Sequence, residues 1–167
     1  MDEPLQGWSI RRCSFEDPDA VRLVAEVQAE YVERYGSPDE TPLEPGYFEP
    51  PSGSFFVGSL EGVAVATGAW RRRTDVEALG STATAEIKRM YVRADVRGRG
   101  LARAMLAHLE DTAGAGGAAV MILETGAAQP EALGLYASAG YVPIPGFGHY
   151  RDSPLNRCLA RALDGRL

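Results

Sequence analysis

The amino-acid sequence predicts an α/β fold of the α+β kind, a mixed sheet with helices packed on it. Three observations carry that reading. Strand-like and helix-like segments follow one another as β-α-β-β-β-α-β-α-β-β. Glu61-Gly62 sits between two apolar runs as a hairpin turn, which makes their strands antiparallel neighbours. Further along, a strand ends in a basic, glycine-rich turn that leads straight into a helix. The chain has 167 residues, and a domain usually takes about 100–200, so residues 1–167 are read as a single domain.

Trp8–Cys13 reads as a short strand. Asp17-Pro18 then opens a helix, because proline early in a helix gives up an N–H that would have no partner there. Val21, Val24, Ala25, Gln28 and Tyr31 follow at helical spacing, and Gly36 ends the run. Residues 37–52 carry five prolines and form a loop with room for one helical turn. Phe55-Phe56-Val57 starts a strand, and Val63–Thr67 returns after the hairpin. Residues 73–82 are a polar connection, Thr84–Val92 a strand, Gly100 to Ala113 a helix, and Ala118–Leu123 an apolar strand. Gln129-Pro130-Glu131 begins a helix that Gly140 stops. Tyr141–Ile144 and Leu155–Ala160 are the last strands, parted by a Pro/Gly-rich loop.

Composition narrows the function classes. With 45% hydrophobic and 24% charged residues the chain reads as an ordinary globule. No apolar run approaches the ~20 residues of a membrane span, and MDEPLQGW lacks the basic-then-apolar layout of a secretory signal, so a cytoplasmic location is expected. Cys13 and Cys158 stand alone, with neither disulfide framework nor zinc spacing, and no metal site is expected. The net charge is −6, yet residues 71–103 hold eight arginines and Lys88 against four acids, while residues 26–49 hold seven acids and only Arg34. An acidic chain with one basic stretch suits a compact polyanion better than a nucleic acid, whose length would meet repulsion elsewhere.

The segment from Ala85 to Leu106, AEIKRMYVRADVRGRGLARAML, gives that polyanion a place. A helix N-terminus exposes unpaired N–H groups and carries a positive dipole end. Gly98 and Gly100 let an anion approach the backbone, and Arg97, Arg99 and Arg103 add charge, which together make a phosphate cradle. It is not a P-loop, since the chain has no Gly-Lys pair. A dinucleotide fingerprint fails at its last position, occupied by Arg103, even though Glu124 lies near where its ribose-binding acid would sit. A serine hydrolase would need G-x-S-x-G, which is absent.

Arg97-Gly98-Arg99-Gly100-Leu101-Ala102 matches the Q/R-x-x-G-x-G/A motif, and the chain here resembles the GNAT superfamily of N-acetyltransferases. The preceding strand EIKRMYV, the following strand VMILETG and the helix QPEALGLYASAGY resemble that family in order and spacing. The resemblance implies about seven mostly antiparallel strands, helices on both faces and a splayed central pair of strands. It also implies acetyl-CoA as donor and transfer to a primary amine of a small molecule by direct attack in a ternary complex. Acetylation of protein or peptide amines, and a non-catalytic acyl-CoA-binding or sensor domain, are the alternatives, and a homodimer through the last strands is compatible with the family.

By that resemblance, the backbone of Met90, Tyr91 and Val92 faces the pantetheine, with one N–H polarising the thioester carbonyl. The amides from Arg97 through Gly98, Arg99, Gly100 and Leu101 to Ala102 hold the pyrophosphate. Thr125 and Gly126 line the same channel, and Gln129 stands about where the family often has an Asn. Tyr136 matches the family's general acid: a phenol with a pKa near 10 can protonate the departing thiolate. Its spacing with Leu133 and Ala137 equally suits plain core packing. Glu86 is the candidate base, and strand alternation puts Glu86, Lys88, Met90 and Val92 on one face unless a bulge intervenes. A salt bridge with Lys88 or Arg89 is its structural alternative. Acceptor contacts are expected from Tyr31, Tyr35 and the acids of the first loop, and from Tyr150 in the loop before the last strand. Trp70 with Arg71–Arg73 would instead face an acceptor carboxylate.

Overall fold

The structure, a computed structural model, describes residues 5–127 and 129–163. Residues 1–4, part of the segment considered as a signal, lie outside the described residues. The elements are β1 (Trp8–Cys13), α1 (Pro18–Tyr35), β2 (Gly53–Leu60), β3 (Val63–Arg72), β4 (Thr84–Val92), α2 (Leu101–Ala115), β5 (Val120–Gly126), α3 (Pro130–Ser138), β6 (Val142–Pro143) and β7 (Asn156–Ala162), with a 3-10 turn at Pro45–Phe48 and another at Ala94–Val96. The seven strands form one sheet in the order β1-β2-β3-β4-β5-β7-β6. Every neighbouring pair is antiparallel except β4 and β5.

The alternation of side chains along the strands feeds two cores. Trp70, Ile87, Met121 and Leu123 pack under α2 and α3 with Met105, Leu109 and Tyr136. On the opposite face Phe55, Val57, Ala69 and Tyr91 meet Leu23 and Val27 of α1 and Phe48 of the first loop. Leu23 and Phe55 are fully buried, and each such side chain contributes about 1.5–3 kcal/mol by leaving water. Asp17 caps α1 by accepting from the Asp19 amide, as the Asp-Pro start predicts. β3 runs on past Thr67 to Arg72, because Ala69 and Trp70 are core residues and only the two terminal arginines are polar. β6 shrinks to Val142–Pro143, where proline has no N–H to extend the ladder.

Two irregularities in β4 shape the centre. The first is a bulge: the register with β3 shifts between Thr67 and Ala69. Arg89 takes the left-handed conformation at φ 56°, and the Thr67 hydroxyl donates to its carbonyl at 2.6 Å. Glu86, Lys88, Met90 and Val92 therefore do not share a face. Met90 and Val92 join the core under α2, whereas Tyr91 turns to α1, which leaves Glu86 and Lys88 on the α1 side. The second is a splay. β4 pairs with β5 only over Thr84–Glu86 against Val120–Ile122, while β4 stays with β3 to Val92 and β5 stays with β7 to Gly126. From Ile87 onward the β5-facing edge of β4 pairs with no strand.

Candidate active site

The glycine-rich turn lies where the splayed edge ends. Gly98 and Gly100 both have φ 82°, a conformation that costs a residue with a Cβ about 1 kcal/mol or more. A Cβ built at either meets no atom within 4 Å, so the space before the turn is open. The amides of residues 98–103 make no hydrogen bond among the described residues, and they cluster at the N-terminus of α2. The arginines are less available than their spacing predicts. Arg97 donates to the Val92 carbonyl at 2.7 Å and to Glu30 of α1 at 2.7 Å, and Arg103 donates to Ser138 of α3 at 2.8 Å. Both brace the turn against its neighbours, and the cradle itself is main chain.

On the α1 side of the splay is a cleft of about 260 Å³. It brings together Tyr31 and Tyr35 from α1, Asp39 from the first loop, Lys88, Glu124, Thr125, Gln129 and Tyr150. Gln129 donates to the Tyr35 hydroxyl at 3.3 Å, and that hydroxyl occupies the place a side chain on Gly126 would take. Tyr150 donates to Asp39 at 3.1 Å and accepts from the Glu40 amide at 2.7 Å, closing the first loop against the last one. Burial beside Asp39 pushes the Tyr31 phenol up to about 12.

Trp70, Arg71–Arg73 and Glu86 stand apart from the roles the sequence suggests for them. Trp70 is 5% exposed in the core under α2, its indole donating to Thr112 at 2.9 Å; it does not reach the cleft. Arg72 is drawn off to the Gly116 carbonyl, while Arg71 and Arg73 turn inward to Glu86 at 3.1 and 2.7 Å. Glu86 is 1% exposed with two guanidinium groups on one oxygen and Lys88 at 3.9 Å from the other. A carboxylate committed to that many cations is an ion-pair partner, chiefly of Arg71 and Arg73, while Arg89 pairs with Asp39 instead.

The carboxylate that the sequence brought up only as the acid of a rejected dinucleotide fingerprint is Glu124. It stands on β5 where the splay has opened, on the face of Val120 and Ile122. Asn156 donates to its Oε2 at 3.1 Å, and its Oε1 is buried with no partner. Burial raises its pKa above the ordinary value and nearby Glu86 adds to the rise, while Lys88, the Tyr150 amide and Asn156 partly offset it. Strand alternation combined with the rule that sites gather at the carboxyl ends of strands could have found it. Tyr136, 5% exposed, reaches the splay from the opposite side, from α3, its ring 5.5 Å from that of Tyr141. Burial keeps its phenol raised and therefore protonated, and it lies close enough to Tyr31 for their charges to interact.

A sheet splayed at its centre, with unbonded amides clustered at the end of the open strand edge, leaves room for an extended ligand that carries an anion at one end. The chain belongs to the GNAT acetyltransferase family, whose sequence model, "Acetyltransferase (GNAT) family", matches residues 20–141. It is 29% identical, over 86% of its length and 90% of the other's, to a protein of Azospirillum brasilense described as an IAA acetyltransferase. Among solved structures it resembles a Klebsiella pneumoniae protein assigned to the acyl-CoA N-acyltransferases, with a TM-score of 0.74, 27% identity and coverage of 93% of this chain and 97% of that one. It also shares its fold with an acetyltransferase-type protein of Salmonella typhimurium solved with acetyl-CoA, with a TM-score of 0.67, 19% identity and 96% of both chains covered. The chain is thus an acyltransferase by family. Among the described residues no helix is long and apolar enough to cross a membrane.

Proposed function

We propose that this chain moves the acetyl group of acetyl-CoA to the primary amine of a small molecule seated in the Tyr31–Tyr150 cleft, by direct attack in a ternary complex. Acetyl-CoA, when bound, supplies an activated acyl thioester. The residues present fit it. The unbonded amides from residue 98 to 103 suit the diphosphate, and the open edge of β4 around Met90 and Val92 suits the amide-rich pantetheine arm. An N–H on that edge, aimed at the thioester oxygen, would stabilise the charge that develops there, a role typically worth ~3 kcal/mol.

The observation that carries the reading is the Glu124 carboxyl in the wall of the cleft, buried and with its Oε1 unpaired. An acceptor amine arrives as an ammonium and attacks only when neutral. The Glu124 carboxylate, in the cleft wall, is the group assigned to take that proton, and its raised pKa brings it closer to the amine in basicity than an ordinary carboxylate. This assigns the base to Glu124 in place of Glu86. Tyr136, on the far side of the splay, is the group that gives a proton to the departing sulfur. Base and acid thus stand on opposite sides of the opening through which the thioester would pass, as direct transfer requires.

Glu124→Gln is the test. Acetyl transfer to whichever amine the wild type uses should fall by about 100-fold or more in kcat, and the enzyme-borne rise of kcat/KM with pH should vanish. Stability at pH 7 should be unchanged or raised, because the substitution removes a buried charge that lacks a full set of partners. Tyr136→Phe should lower kcat while leaving acetyl-CoA affinity within about twofold. Wild-type turnover in both variants would refute the assignment.

A further inference from the structure

We propose that the acceptor is an amino acid, an amine bearing a carboxylate a few bonds from its nitrogen, and that Lys88 binds that carboxylate. This rests on the acetyl-transfer reading above and narrows its acceptor. Lys88 is 7% exposed and lines the cleft. Its ammonium lies 3.9 Å from Asp39 Oδ2 and 3.9 Å from Glu86 Oε2, both beyond hydrogen-bond range. An ammonium has three donors to satisfy, and none is satisfied by a described residue.

The two carboxylates near Lys88 make their hydrogen bonds to other groups, although Glu86 Oε2 itself faces Lys88 without one. Asp39 Oδ2 accepts from Arg89 at 2.8 Å, and its Oδ1 accepts from the Thr41 amide, the Thr41 hydroxyl and Tyr150. Glu86 accepts from Arg71 and Arg73. Arg71, Arg73, Lys88 and Arg89 are set against Asp39, Glu86, Asp75, which pairs with Arg73, and Glu124, so the cluster balances only across the cleft, with the unbonded Lys88 ammonium and the Glu124 carboxyl both in its lining. A zwitterion answers both, with its ammonium at Glu124 and its carboxylate at Lys88.

A simple amine or a polyamine answers only one and sets a second cation against a buried ammonium, which is costly at low dielectric. The volume of about 260 Å³ also lies below the ~300–1,000 Å³ of pockets for drug-sized ligands, as a small acceptor needs. The rings of Tyr31, Tyr35 and Tyr150 around it offer apolar surface for a side chain. The arginine run, which the sequence offered as the carboxylate site, prepares this one indirectly by occupying Glu86.

The experiment measures acetyl-CoA consumption with the proteinogenic amino acids and their β- and γ-homologues, each matched with its carboxamide and its decarboxylated amine. The acid of the preferred pair should exceed its amide by about 100-fold in kcat/KM. Lys88→Met should bring that ratio to within about threefold, acting mainly through KM, with acetyl-CoA affinity unchanged. Lys88→Arg, which keeps the charge, should restore part of it. Amides or plain amines used as well as the acids, or a ratio untouched in Lys88→Met, would overturn the proposal. Thermal shifts with coenzyme A present separate it from the acetyl-transfer reading. If no compound consumes acetyl-CoA but acids alone raise Tm, the carboxylate site stands and the transfer reading falls. If no acid either reacts or raises Tm, the carboxylate site falls.

Discussion

Asp39 is the residue on which the cleft is hung. It follows α1 in the first loop, reaches β4 through Arg89 and Lys88, and meets the last loop through Tyr150. Burial alone would raise its pKa, but Lys88, the two Thr41 hydrogen bonds and Arg89 outweigh it and hold the carboxyl at about 2, against an ordinary 3.8. A carboxylate lowered on folding adds stability that is fully present above its unfolded pKa and is lost as pH falls through the folded one. The window here is therefore about pH 4 down to 2, and the shift corresponds to roughly 2 kcal/mol. Asp39→Asn should cost about 2–4 kcal/mol in urea unfolding at pH 7, since it also leaves two buried cations short of a counter-charge. Its stability should fall less steeply than the wild type's between pH 4 and 2. An acid limb as steep as the wild type's would mean that Asp39 is not the group titrating there.

At the scale of elements, the β4 bulge decides which groups meet. Without it Met90 and Val92 would stay in phase with Glu86 and Lys88, and the open strand edge would present different side chains to each face. Arg89 is held at φ 56° by a hydroxyl on β3 and a carboxylate in the first loop, so the bulge is made by contacts far apart in sequence. That is why the strand Thr84–Val92 is legible from its residues and the bulge within it is not. The glycine-rich turn is legible because its cause is local: two glycines, a strand end and a helix start. The surroundings of Trp70 and Glu86 are illegible in the sequence for the same non-local reason, since Thr112 claims the one and Arg71 and Arg73 the other. Thr67→Val is close in shape but removes the hydroxyl that fixes the Arg89 carbonyl. It should cost about 1–3 kcal/mol of stability by leaving a buried acceptor unpaired. It should also lower kcat by more than it raises the KM for acetyl-CoA, because the diphosphate turn is untouched. Equal effects on both would place the bulge outside the reacting centre.

The whole molecule is two cores on opposite faces of one sheet, joined at β1 to β3 by continuous pairing and parted between β4 and β5. Along the parting, the β4 edge beyond Ile87 pairs with no strand and the amides of residues 98–103 have no partner among the described residues. Buried or half-buried backbone groups without partners are a standing cost to the folded state, and a ligand that satisfies them in one stroke should bind both halves together. Acetyl-CoA at about 100 times its Kd should add about 2.7 kcal/mol to the unfolding free energy, which for a chain of this size is a Tm rise of roughly 5–10 °C. Hydrogen exchange should locate the gain. Amides of residues 88–92 and 98–103 should slow on ligand addition, while the β1–β2 ladder, already paired from Trp8 against Leu60 to Cys13 against Phe55, should keep its rate beyond the shared global shift. Protection spread evenly over the sheet, or confined to residues 98–103, would show that the ligand grips the turn without bridging the splay.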